Sequence, residues 1–226
     1  MSDKTLSINM LVGPFDEPWL LYSLRSVAWA NEIVIVDNNM HEDNSKRLQV
    51  FANEHNNIIV VDYYKIYDKF RFDWARNLAK EVSTSDYILK IDADEVYYDS
   101  FKNAFAKINP NIDCFRGSFY HFYYSDRQLH SIQSAEILFK NDQSYHWENA
   151  VHEHIVGPTK FAVIPFVVFA HYGYVKPQRA IYNKWKLYSE LGDEGAWTED
   201  LDPDHVIDGH KTIYFGGELP EVFKRI

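Results

Sequence analysis

Tyr87-Ile88-Leu89-Lys90-Ile91-Asp92-Ala93-Asp94-Glu95 is an apolar run that ends in three carboxylates, with one small residue between the first two. Bounded upstream by Ser83-Thr84-Ser85-Asp86, it reads as a buried strand with an acidic carboxyl end. Open α/β sheets bind ligands just beyond strand carboxyl ends, which makes this the first place to expect chemistry. Asp92 and Asp94 delivered into one crevice repel each other at neutral pH unless a cation, an arginine or a proton compensates.

Working back from this stretch, the periodicity predicts strands at Leu6–Val12, Glu32–Asp37 and Ile58–Asp62. The turn at Gly13-Pro14 leads to a helix start in which Asp16 caps, Glu17 suits the positive end and Pro18 fits the first turn. Asn38 and Asn39 make a turn after the second strand, Asp43 or Asn44 opens a second helix, and Asp73 caps a third that carries Ala75, Leu78, Ala79 and Val82 inward. Strand and helix alternate four times, the mark of a parallel sheet with crossover helices. Right-handed crossovers place the carboxyl ends of these strands, with Asp37 and Asp92, along one edge.

Beyond Asp99 the pattern changes. Residues 101–108 read as a helix, and residues 113–124 as a strand aromatic on both parities; a further strand is expected at 135–139. A His-rich loop containing Trp147 covers 143–154, an apolar strand at 161–171 ends on His171, and Pro177 opens a helix with Ile181, Trp185 and Tyr188 inward and Gly192 as its stop. From Asp193 the tail is acidic and loop-like. The 226 residues suit one mixed α/β domain.

The net charge of −10 argues against a nucleic-acid partner, because that binding relies on Lys and Arg neutralising phosphates. A small phosphorylated ligand stays compatible if the site supplies its own cations. Cys114 is the single cysteine, so no internal disulfide forms. No apolar signal region opens the sequence, and the run at 161–170 is about half the length of a membrane span. The expected compartment is cytoplasmic. The aromatic content of 16% exceeds what core packing alone suggests, and flat rings can stack on bases or sugar faces; Trp147 and the aromatic residues of 119–124 are the places to test that against plain packing.

Two carboxylates at i and i+2 beyond a strand suit a hard divalent cation, Mg2+ or Mn2+, with phosphate oxygens among its other ligands. The order Ser7-Ile8-Asn9-Met10-Leu11-Val12, Leu24-Arg25-Ser26-Val27, Glu32–Asp37, Phe72-Asp73-Trp74-Ala75-Arg76-Asn77 and Ile91-Asp92-Ala93-Asp94-Glu95 resembles the family 2 glycosyltransferases of the GT-A fold. Downstream, Leu138-Phe139, Trp147, Val151-His152-Glu153 and His171-Tyr172-Gly173-Tyr174 resemble the lipopolysaccharide-core type. The resemblance covers roughly residues 5 to 190. It implies a Rossmann-like GT-A domain with a mostly parallel central sheet, residues 1–99 binding a nucleotide-diphosphate sugar and a smaller mixed region, 100–226, binding a saccharide or glycolipid acceptor. Any membrane association is then peripheral, through the acceptor.

The same resemblance implies metal-dependent, inverting sugar transfer. Val12, Asp37, Arg76 and Asp92 would meet the nucleotide; Asp94, Asp92 and His171 would hold Mn2+ or Mg2+; Glu153 would take the acceptor proton, with Glu148 and Glu95 as rivals. For His171, a satisfied structural histidine is an equal alternative. His146, His152, Glu153 and His154 lack the spacing of a zinc site. Three other readings compete. Asp92-Ala93-Asp94-Glu95-Val96 fits the Asp-x-Asp-x-Val pattern of haloacid-dehalogenase-type phosphatases, but three βα units precede it. A nucleotidyltransferase would need a basic, Gly-rich first loop, and Gly13-Pro14-Phe15-Asp16 has no Lys or Arg. A sugar-nucleotide-binding module without turnover would bind donor and leave it intact.

Overall fold

A computed structural model describes residues 4–193 and 201–224. In chain order the elements are β1 (Leu6–Val12), α1 (Leu20–Ser26), β2 (Glu32–Asp37), α2 (Glu42–Ala52), β3 (Ile58–Asp62), α3 (Phe72–Val82), β4 (Tyr87–Asp92), β5 (Glu95–Tyr97), α4 (Asp99–Phe105), β6 (Cys114–Tyr123), β7 (Gln128–Lys140), β8 (His146–Glu148), β9 (His154–Val156), β10 (Phe161–Tyr174), α5 (Gln178–Glu190) and β11 (Ile213–Tyr214). Short 3-10 turns lie at Tyr63–Lys65 and Glu221–Lys224.

The four strands expected from the first half are present, and β1–β2, β2–β3 and β1–β4 all pair in parallel. The near-continuous apolar sequences of β1, β2 and β4 follow from burial on both faces, every residue of β1 being buried, as are Ile33, Val34, Ile35 and Val36 of β2, whereas the edge strand β3 leaves Ile59 and Val60 exposed. One face packs on Leu20, Leu24 and Val27 around α1, the other on Ala75, Leu78 and Ala79 of α3.

The sheet order is β3-β2-β1-β4-β7-β6-β10-β5, with β11 beside β7. The chain steps outward from β1 to β3 and then returns to place β4 on the other side of β1, so the direction of winding reverses between β1 and β4. Beyond β4 the sheet is mixed, with β7 antiparallel to β4 and β6, and β10 parallel to β6.

Several helix starts differ from the sequence reading. α1 begins at Leu20 after Trp19, with no side-chain cap; Asp16 instead pairs with Arg47, and Glu17 turns toward Lys176. His41, rather than Asp43 or Asn44, caps α2 by accepting from the Asp43 N–H. Asp73 lies inside the first turn of α3, where Arg71 grips both its oxygens at 3.0 and 2.7 Å. In each case a nearby cation or ring nitrogen outcompetes the local cap. The opening stretch itself divides: β4 stops at Asp92, Ala93 and Asp94 form a turn, and Glu95 starts β5. The His-rich loop holds the hairpin β8–β9, which buries Trp147 and Ile155 against Phe139. The acidic tail falls partly outside the described residues.

Candidate active site

The reversal between β1 and β4 leaves a crevice beyond their carboxyl ends, where an open α/β sheet binds ligands. A cavity of about 400 Å3 opens there, bordered by Val12 from β1, Asp92 and Asp94 after β4, Arg76 from α3, Glu153 from the loop before β9, and Lys184 from α5.

Arg76 organises its floor. The guanidinium is 1% exposed, and one nitrogen donates to the carbonyls of Asn9 (3.2 Å) and Ile91 (3.1 Å). The other two reach Asp92 Oδ1 and Glu153 Oε1, the latter at 3.0 Å. Lys90 adds a second cation to Glu153 at 3.3 Å. Burial alone would raise the Glu153 pKa, but Lys90 and Arg76 outweigh it and hold the carboxyl below its ordinary range. Asp92 is lowered in the same way, burial being overcome by Arg76 and Lys90. His152, just before Glu153, has φ 54°, an uncommon backbone for a residue with a Cβ. The loop is fixed to α3 where Phe72 N–H donates to the Ala150 carbonyl at 3.0 Å.

Asp94 is 3% exposed. Its Oδ2 faces two ammonium groups, Lys176 at 3.2 Å and Lys184 at 3.5 Å, and Lys176 is shared with Glu17. Its Oδ1 lies 3.3 Å from His171 Nε2 but accepts no well-directed hydrogen bond. Burial opposes ionisation of Asp94, yet Lys184, Lys176 and His171 carry its pKa well below the carboxylate range. At Gly173 a Cβ would stand 2.6 Å from His171 Nε2 and 3.1 Å from Asp94 Oδ2, so the missing side chain is what lets the two groups approach. An acidic oxygen without a hydrogen bond beside an imidazole nitrogen is a donor set that suits Mn2+ or Mg2+.

The structure gathers Val12, Arg76, Asp92, Asp94 and Glu153 around the cavity. Asp37 sits at the end of β2, outside the lining, accepting the Met40 N–H at 2.6 Å. His171 stands behind Asp94 on β10, paired with Glu95 of β5 and His121 of β6. The carboxylates separate: Asp92 turns to Arg76, and among the described residues Asp92, Asp94 and His171 do not form a group of three donors within 4.8 Å of one another. Asp16, His41 and Asp43 do form such a group, but Arg47 and Lys46 already neutralise its acids. Of the rival carboxylates, Glu95 accepts the Asp92 N–H at 3.1 Å, its pKa pushed well up by burial and by Asp92, and Glu148 is exposed and pairs with His146. Neither borders the cavity. Trp147 is 4% exposed, its backbone held by Asn77 on both sides at 2.7 and 2.9 Å, which makes it a packing residue.

Glu17, Lys176, Lys184 and Tyr188 border the cavity without having been expected there. Lys184 and Tyr188 are four apart on α5 and so share a helix face, a signal visible in the sequence; Glu17, which the sequence places at a helix end, carries no such signal.

The model of glycosyl transferase family 2 matches residues 15–173 of the chain. Among solved structures, Staphylococcus aureus TarS 1–349 is 13% identical with a TM-score of 0.53, over 89% of this chain and 68% of that one. A form of it solved in complex with UDP-GlcNAc is 14% identical with a TM-score of 0.51, over 89% and 69%. The mannosyltransferase PcManGT from Pyrobaculum calidifontis, solved in complex with GDP-Man and Mn2+, is 12% identical with a TM-score of 0.54, over 86% and 66%. At these identities the likeness is one of fold. The family match takes in α1 and β2 through β9, the Asp92–Asp94 turn and most of β10, and the chain belongs to glycosyl transferase family 2, a glycosyltransferase with a GT-A-like α/β domain.

Proposed function

We propose that the chain transfers a sugar, with inversion and with Mn2+ or Mg2+, from a nucleotide-diphosphate sugar to a hydroxyl of a saccharide or glycolipid acceptor. The observation that carries this reading is Asp94, whose Oδ1 stands without a hydrogen bond next to His171 while two lysines and Arg76 line the same crevice. The solved complexes of TarS with UDP-GlcNAc and of PcManGT with GDP-Man and Mn2+ support the same class of donor. No helix among the described residues is long and apolar enough to cross a membrane, in keeping with a cytoplasmic enzyme that meets a lipid-linked acceptor at its headgroup.

In this reading Asp94 and His171 would hold the divalent ion, which when bound would supply charge stabilisation to a diphosphate. Val12 borders the nucleoside, Asp37 at the end of β2 is assigned to it from outside the cavity lining, and Arg76 fixes Asp92 toward the ribose. Glu153 is the base for the acceptor hydroxyl. Its ion pairs keep it deprotonated at neutral pH, as a base must be, at some cost in basicity. Residues 1–99 supply most of the nucleotide side; residues 100–226 add Glu153, His171 and the α5 wall of the cavity.

A thermal-shift panel of nucleotide sugars with and without Mn2+ tests the reading, because a ligand of the native state raises its apparent stability. One donor should stabilise the protein, lose its effect on chelation, and be consumed when acceptor is added. A donor that binds and is never consumed with any acceptor would favour a binding module instead.

A further inference from the structure

The lysines at Asp94 are more than neutralising partners. Two carboxylates, Glu17 and Asp94, face two ammonium groups, Lys176 and Lys184, so the cluster is balanced before any ligand arrives. Both ammonium groups approach from the Oδ2 side of Asp94, and Lys184 at 3.5 Å is the looser. The opposite oxygen, Oδ1, is left to His171. A divalent cation arriving alone on the Oδ1 side would raise the net charge of a buried cluster, with like charges only a few ångströms apart. A diphosphate arriving with it restores balance and offers the lysines oxygen acceptors.

We infer that Lys176 and Lys184 are the diphosphate-binding cations of this site, that they rest on Asp94 until donor arrives, and that they thereby make metal binding depend on the diphosphate. This rests on the proposed donor class and adds residues and an order to it. Lys184 suits the transfer from Asp94 to phosphate. It has a long, flexible stem, its side chain is 26% exposed, it borders the cavity, and it stands on α5, whose buried side chain is Ile181. Lys176, 7% exposed and held by Glu17, is the fixed member.

Removing one positive charge between the two subsites predicts opposite effects on a cation and an anion measured separately. Lys184→Met should tighten Mn2+ binding, measured by electron paramagnetic resonance with no phosphate present, by at least about fivefold. The same variant should weaken inorganic pyrophosphate, measured calorimetrically in chelator, by at least about fivefold. Lys184→Arg, which keeps the charge, should move both values back toward wild type. A residue with only a structural role would weaken both ligands together; that result, or no change in either, overturns the inference while leaving the donor reading intact. Wild-type protein that binds neither Mn2+ nor pyrophosphate even when the two are supplied together overturns both.

Discussion

Asp94 and His171 come from opposite halves of the chain, and the sheet brings Oδ1 of one within 3.3 Å of Nε2 of the other. The contact depends on β5, which turns back from Asp94 and pairs antiparallel with β10, setting Glu95 beside His171 and Val96 beside Ala170. A second tie, Tyr172 N–H to the Asp94 carbonyl at 2.9 Å, locks the register. The two side chains are thus held by backbone pairing on both flanks, the kind of support a preorganised site needs.

Gly173 is the open corner of that arrangement. Gly173→Ala puts a methyl group 2.6 Å from His171 Nε2 and 3.1 Å from Asp94 Oδ2. The expected cost is about 1–3 kcal/mol of stability from overpacking. Transfer should fall on the order of 100-fold, as misplacement of reacting groups by about an ångström does. Chemical denaturation and initial rates on the same preparation check the two effects separately.

Arg76 carries the buried charges of the floor. Arg76→Met leaves Asp92 and Glu153 without their guanidinium and should destabilise by about 3–5 kcal/mol. Arg76→Lys should recover only part of this, because one ammonium cannot meet two carboxylates and two carbonyls in the fork that the guanidinium spans. Urea midpoints of the three proteins give the ranking; equal midpoints for Arg and Lys would contradict it.

The first half of the fold was legible because β1, β2 and β4 are buried on both faces and so appear as unbroken apolar runs between turn residues. The Asp92–Asp94 turn was legible for the same reason, as acids that interrupt such a run. The Glu17–Lys176–Asp94–Lys184 cluster was not, because no local spacing records that a strand end, a helix entry and α5 meet in space. Helix starts were misplaced where distant cations took the capping acids: Arg47 for Asp16, Lys176 for Glu17.

Trp147 separates packing from ligand stacking. It is buried against Phe139, with ring centroids 5.5 Å apart at 74°. Trp147→Ala should cost about 3–5 kcal/mol of stability. In protein that remains folded at low temperature, the KM for acceptor should stay near wild type. A large rise in that KM with little loss of stability would instead make Trp147 an acceptor-binding ring.

Asp113 ties the start of β6 to β7 and to the turn before β10. It accepts from Lys140 at 3.1 Å, from Thr159 N–H and Oγ1–H at 3.2 and 3.1 Å, and from Lys160 N–H at 3.0 Å. Partial burial pushes its pKa up, but Lys140 and these donors prevail and bring it down to about 2 from 3.8. The folded state therefore binds this proton less readily than the unfolded chain, so the stabilisation is full above pH 3.8 and is lost as pH falls through about 2. Asp113→Asn should lower stability at pH 5, and the gap from wild type should narrow on acidification through that window. A gap independent of pH would refute the assignment.

In the proposed mechanism Asp94 couples a divalent ion to donor binding, which a Mn2+ titration of the donor-induced thermal shift tests in wild type and in Asp94→Asn, a change that keeps the shape and removes the charge. Wild type should show a Mn2+-dependent shift and sugar release, and the variant should lose both with its secondary structure unchanged. A variant that binds donor and releases sugar as wild type does, with the same Mn2+ dependence, would contradict it.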